Sequence, residues 1–201
     1  LTSTARFLAD EGIPSYLVGG FVRDAFLGRG TADVDIAVGA AGLEAALRVA
    51  GKLEGHYVPL DPENGIGRVV LTGGADPYGK DTLYIDFSTL RGDIENDLSQ
   101  RDFTIDAMAV RLDKDFEGGF DIDNIIDPFD GREDLRRKFI RAIGNDIFRA
   151  DAVRLLRAVR IAAELGFNIH GDTEELISRD SGLITGIAGE RIREELLRIL
   201  A

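Results

Sequence analysis

Up to Gly131 the chain alternates short apolar runs of strand length with stretches of helical period. The runs are Ser15–Gly19, Val34–Val38, Tyr57–Leu60, Arg68–Leu71, Leu83–Phe87 and Met108–Leu112. Val, Ile, Tyr and Phe dominate them and Gly, Asp or Pro bound them, which predicts strands. Apolar positions at helical spacing fall between, at Phe21–Leu27 and Leu43–Ala50. Gly73-Gly74 and Asp76-Pro77-Tyr78-Gly79 predict a turn between two strands. After Gly131 the pattern is helical: Arg132–Phe139, Asp146–Leu165, Thr173–Asp180 and Glu190–Leu200. Its punctuation is Gly144-Asn145, Gly166, Gly171, Gly182 and Gly189. The expectation is an α/β (α+β) domain over 1–131, built on a mixed sheet, followed by an all-α domain over 132–201.

Composition narrows the function classes. There is no Cys among 201 residues, so neither a disulfide framework nor a thiolate metal site exists. No apolar run approaches the ~18 residues of a membrane span, and no signal-type stretch opens the chain. The expectation is a cytoplasmic protein away from the membrane. The first residue is not Met and the last helical pattern reaches the final residue uncapped, which predicts a longer parent protein. A net charge of −12 argues against gripping nucleic acid with the whole surface. The charge is uneven: Arg132–Arg160 carries nine Lys/Arg against four Asp/Glu, or +5, leaving −17 elsewhere. That segment is either a set of solvated helix faces or a local site for phosphates.

Candidate chemistry centres on acidic residues. Asp33 and Asp35 stand two apart in an apolar strand and so point to one face. Two carboxylates facing one way repel unless a cation lies between them, and hard oxygen donors of this kind suit Mg²⁺. Asp86, amid Tyr84, Ile85 and Phe87, is a third carboxylate that calls for a partner. Upstream, Gly19-Gly20 permits close approach of a ligand to the backbone. A helix starting there, with Arg23 and Asp24 in its first turn, would aim N–H groups at a phosphate.

In combination these motifs resemble the class II tRNA nucleotidyltransferases (CCA-adding, CC-adding and A-adding enzymes) and the bacterial poly(A) polymerases, from Leu17 to about Leu200. LVGGFVRD at 17–24 with DVD at 33–35 is similar to the family's metal-holding motif. Arg101-Asp102-Phe103-Thr104-Ile105-Asp106-Ala107-Met108 resembles its RRDFTINAM, which implies that Arg101 and Asp102 select ribose. Ile126–Gly131 and Ile140–Gly144 resemble its link from head to neck. Asp151-Ala152-Val153-Arg154-Leu155-Leu156-Arg157 resembles EDxxRxxR, which places Asp151, Arg154 and Arg157 at the nucleotide. On one helix Asp151 and Arg154 would share a face. A carboxylate accepts from an exocyclic amino group and a guanidinium donates to a ring acceptor, so the pair suits cytosine and adenine but not guanine or uracil. Glu190-Arg191 resembles a further neck motif, read as structural.

The resemblance implies a polymerase-β-like nucleotidyltransferase head with a small mixed sheet, then an all-α neck, with the family's body and tail absent. It implies two Mg²⁺ ions, CTP and ATP as substrates and the tRNA 3′ end as partner, with Asp33, Asp35 and Asp86 catalytic and oligomeric state undetermined. Gln100, Asp106 and Ala150 depart from the family's Arg, Asn and Glu. The largest departure is Ser88–Gln100, STLRGDIENDLSQ, which runs almost directly into the second motif. CCA-adding members carry a longer flexible loop there and CC-adding members a shortened one, so the sequence leans towards CC addition. CCA addition, A addition, poly(A) synthesis and a non-catalytic RNA-binding role on the same scaffold remain the alternatives. His56, His170, Phe103 and Tyr78 read as structural or surface residues.

Overall fold

The computed structural model describes residues 1–72, 82–116 and 125–200; the turn expected around Gly73–Gly79, with Tyr78, lies outside them. Two compact units emerge, residues 1–98 with 108–126, and residues 99–107 with 127–201.

The first unit opens with helix α1 (Thr2–Asp10), strand β1 (Ser15–Val18), helix α2 (Gly20–Phe26) and strand β2 (Asp33–Val38). Helix α3 (Gly42–Leu53), strands β3 (His56–Asp61), β4 (Ile66–Thr72) and β5 (Thr82–Thr89), and helix α4 (Ile94–Ser99) follow. Strands β6 (Ala109–Leu112) and β7 (Ile125–Ile126) complete a seven-stranded sheet of order β3-β4-β5-β2-β1-β6-β7. The β2–β5 pairing is parallel and the other pairings are antiparallel, so the sheet is mixed. Alternation decides what faces inward: Val34, Ile36 and Val38 on β2, Ile85 and Phe87 on β5 and Val69 on β4 are all at most 1% exposed. Burying each such side chain contributes ~1.5–3 kcal/mol. Ala45, Ala46, Val49 and Ala50 of α3 are buried, and α3 packs on β4 and β5. Glycine permits that approach: a Cβ on Gly42 would lie 2.4 Å from the Gly65 carbonyl, and one on Gly67 2.9 Å from the Ala46 methyl.

The second unit contains α5 (Gly131–Arg137), β8 (Phe139–Ile140), α6 (Ile147–Ala150), α7 (Arg154–Leu165), β9 (Asn168–Ile169), α8 (Gly171–Asp180), a 3₁₀ segment (Ser181–Gly186) and α9 (Gly189–Ile199). It is not purely helical. Lys138 takes a left-handed conformation (φ 60°) that ends α5, and Phe139-Ile140 then pairs in parallel with Asn168-Ile169. The helix expected over Asp146–Leu165 is two helices: Asp151 is extended (φ −152°, ψ 106°) and its carboxylate accepts from the Val153 N–H at 3.2 Å, competing with helix continuation.

A single cut at Gly131 does not describe the division. Residues 99–107 group with the helical unit because Phe103 and Ile105 are fully buried, Phe103 bridges to Ala142, and the Thr104 hydroxyl donates to Asp134 at 2.8 Å. Helices α1 and α4 stand beyond the expected elements; α4 falls in the stretch 88–100 that reads as a loop in sequence.

Candidate active site

In the first unit the site begins at the β1–α2 turn. Gly19 has φ 70° and ψ −146°, a conformation that is essentially glycine's alone, and caps α2. The Arg23 guanidinium folds back over Gly20, where an added Cβ would meet it at 3.2 Å. Its Nε donates to Asp24 Oδ1 at 2.9 Å, the two side chains being 12% and 17% exposed. Arg23 and Asp24 therefore fall beyond the first turn of α2, not in it as expected, because the helix starts only at Gly20, and they pair with each other.

Strand β2 begins at Asp33. Because Val34 and Ile36 point into the core, exposed Asp33 and half-buried Asp35 lie on the opposite face. In the parallel β2–β5 ladder Asp35 is the register partner of Asp86 and Asp33 that of Tyr84. Register partners share a face about 4.8 Å apart, so the three carboxylates lie together. The next antiparallel pairing places Arg68 of β4 opposite Asp86. Its guanidinium grips both oxygens, Nε to Oδ1 at 2.6 Å and the second nitrogen to Oδ2 at 2.7 Å. It also stacks over the Tyr84 ring at 5.1 Å. The hydrogen bond to Asp86 is the main cause that raises the Arg68 pKa, against burial, and the charges of Asp86, Asp33 and Asp35 add to it. One guanidinium thus feels all three carboxylates.

The donor set fits Mg²⁺: carboxylate oxygens on one face, half open to solvent, beside a glycine turn. Among the described residues no three His, Cys, Asp or Glu side chains close into a cage. Mg²⁺ commonly binds through one or two carboxylates, waters and substrate phosphates.

The second unit carries the other candidates. Buried Asp102 accepts from the Phe103 N–H at 3.1 Å and from Arg157 Nε at 2.6 Å. Burial works against the charge of Arg157, but Asp102, with help from Asp106 and Glu195, raises its pKa. Arg101, half-buried, precedes this pair in the chain. Asp151 and Arg154 do not sit in one helix. Asp151 occupies the break before α7, where its backbone carbonyl accepts from the Arg154 N–H at 3.1 Å. The Arg154 guanidinium donates to the Gln100 carbonyl at 2.9 Å, and Asp151 Oδ2 accepts from Arg191 of α9 at 2.8 Å. Burial raises the Asp151 pKa, but the Arg191 and Val153 hydrogen bonds outweigh it and leave it below the ordinary value. His170 caps α8 by accepting from the Asp172 N–H, and His56 is exposed on β3.

Sequence reasoning missed Arg68 and read Arg191 only as structural. Arg68 is a lone charge in the apolar strand Ile66–Thr72, a signal that could have paired it with Asp86. Arg191 is visible in Glu190-Arg191, but its partner Asp151 is fixed only by the packing of α9 on α7.

Residues 15–141 match the family described as the poly A polymerase head domain, and residues 166–201 match a probable RNA and SrmB-binding site of polymerase A. The CC-adding tRNA nucleotidyltransferase of Geobacter sulfurreducens is 43% identical over 94% of this chain and 41% of its own length. The CCA-adding enzyme of Geobacillus stearothermophilus is 36% identical over 96% of this chain and 47% of its own. The Thermotoga maritima CCA-adding enzyme solved with tRNA superposes with a TM-score of 0.84 at 36% identity, over 99% of this chain and 46% of that one. A CCA-adding enzyme solved with CTP gives 0.83 at 34% identity, over 99% and 46%. The chain spans about half the length of these relatives. With a head-family match over more than half its length and relatives of this identity, the chain belongs to the class II tRNA nucleotidyltransferase and poly(A) polymerase family and carries that family's N-terminal portion.

Proposed function

We propose that this chain is the catalytic part of a template-independent tRNA nucleotidyltransferase that adds CMP, and in the wider reading AMP, to the tRNA 3′ end. The RNA 3′-OH attacks the NTP α-phosphate, the new phosphodiester forms, and pyrophosphate leaves. The observation that carries this reading is the shared face of Asp33, Asp35 and Asp86. Asp33 and Asp35 would hold two Mg²⁺ ions, whose chemistry is to polarise phosphoryl oxygens and ease deprotonation of a bound hydroxyl. Asp86 orients the incoming hydroxyl. The N–H groups at the start of α2, beside Gly19 and Gly20, face the triphosphate. Arg101 and Asp102 recognise the ribose, and Arg157 holds Asp102 in place. A carboxylate has about four lone-pair sites, so Asp102 and Asp151 keep acceptor capacity beyond their present partners. Asp151 and Arg154 read the donor–acceptor edge common to cytosine and adenine.

Within this reading we favour CC addition. Between Asp86 and Arg101 the chain is taken up by the end of β5, to Thr89, and by α4, Ile94–Ser99, so only residues 90–93 and Gln100 lie outside these elements. The relatives include CC-adding and CCA-adding enzymes. The deciding experiment incubates the protein with Mg²⁺ and a tRNA lacking its terminal CCA, with CTP alone and with CTP plus ATP, and sequences the products. Products stopping at CC in both reactions support the reading. A terminal A after CC makes it a CCA-adding enzyme. Extension of unrelated RNA by ATP, with no addition to tRNA, makes it a poly(A) polymerase.

A further inference from the structure

We propose that Arg68 is a positioning residue of the transfer reaction and the internal counter-ion of its carboxylate face, so that metal is loaded with the nucleotide instead of residing in the empty site. The inference rests on the metal-dependent reading of Asp33 and Asp35. Four charged groups share this face in three neighbouring strands: Asp33 and Asp35 on β2, Asp86 on β5 and Arg68 on β4. Arg68 offsets one of these three carboxylate charges.

The fork geometry does more than neutralise. Two parallel donors at 2.6 and 2.7 Å hold Asp86 in the guanidinium plane, and the Tyr84 ring beneath holds that plane. Each Asp86 oxygen is left with one acceptor position outside the fork. Asp86 is thereby kept out of a closed three-carboxylate ligand set and presented as an acceptor for a hydroxyl. A lysine at 68 could supply the charge but not the fork.

The test reads metal binding directly. Mn²⁺ affinity is measured by electron paramagnetic resonance on the full chain without nucleotide, and kcat and KM for CTP are measured separately. Arg68→Met should tighten Mn²⁺ by about tenfold, the factor that a unit charge about 6 Å from a divalent ion gives even at the dielectric constant of water. Arg68→Met with Asp86→Asn should return the affinity to that of the wild type. Arg68→Lys should leave Mn²⁺ affinity within about threefold of wild type, yet lower kcat at least tenfold with KM for CTP little changed, because only the orientation of Asp86 is lost. Unchanged or weaker Mn²⁺ binding in Arg68→Met, while Asp33→Asn abolishes it, overturns this inference alone. Full kcat in Arg68→Lys overturns the positioning role. Wild-type Mn²⁺ affinity in Asp33→Asn overturns the metal reading and this inference with it.

Discussion

Replacing Arg160 by Met should detach α9 from α7. Arg160 and Glu195 are each 8% exposed, with Nε donating to Glu195 Oε2 at 2.6 Å. A second nitrogen of Arg160 donates to both oxygens of Glu164, at 2.9 and 3.0 Å. Met fills similar volume but leaves the buried Glu195 carboxylate without its hydrogen-bonded cation. Breaking a buried pair by removing one partner costs about 3–5 kcal/mol. Glu164, 32% exposed, turns to water, and losing its half of the network costs at most about 0.5 kcal/mol. For a unit of this size each kcal/mol lowers the melting temperature by roughly 4–8 °C, so a loss of about 3 kcal/mol implies a fall of some 12–24 °C. Because the chain has two compact units, the transition must be assigned by hydrogen exchange at α7 and α9 amides before its midpoint is compared. Arg160→Met with Glu195→Met should recover most of the loss, since apolar replacement of both partners is often neutral. A single variant within about 1 kcal/mol of wild type would refute the reasoning, as would a double variant no better than the single.

Asp33→Asn and Asp35→Asn should each abolish transfer while leaving the melting temperature within a few degrees, since both side chains lie on the open face; activity near wild type removes them from the site. Arg191→Met should blur discrimination of CTP and ATP from UTP and GTP by releasing Asp151, and single-turnover assays with all four nucleotides would detect it; unchanged discrimination separates Arg191 from base choice. The Asp151 pKa lies below its ordinary 3.8, so its contribution to stability is present above pH 3.8 and vanishes as pH falls through the folded value. Urea denaturation should therefore separate wild type from Arg191→Met at pH 6 and bring them together well below pH 3.8; a gap that persists in acid contradicts this.

The strands of the first unit were legible because apolar alternation and boundary glycines act locally: β2 was visible in DVDIAV, as was the common face of Asp33 and Asp35. What the sequence hides is set by partners distant in the chain. Asp86 announced a need for a partner, yet Arg68 meets it only through the β4–β5 register. The helix over 146–165 reads as continuous, since Asp151 breaks it with its own side chain while the apolar period runs on through Val153 and Leu155. Residues 99–107 read as part of the sheet domain because the boundary signal was texture, whereas their burial among helices is a tertiary fact.

The parallel pairing of β2 with β5 separates the reaction's geometry from the length of the connection between its strands. Asp35 and Asp86 meet through a backbone ladder, so the β3–β4 turn can change size without moving either carboxylate, as long as β4 keeps Arg68 opposite Asp86. The exposed tip at Pro62–Asn64, between β3 and β4, is accordingly a place to insert a reporter peptide at little cost to activity. A single-residue deletion at the start of β5 would have the opposite result: if the strand kept its pairing, Asp86 would turn toward α3 and an apolar neighbour would take its place beside Asp35.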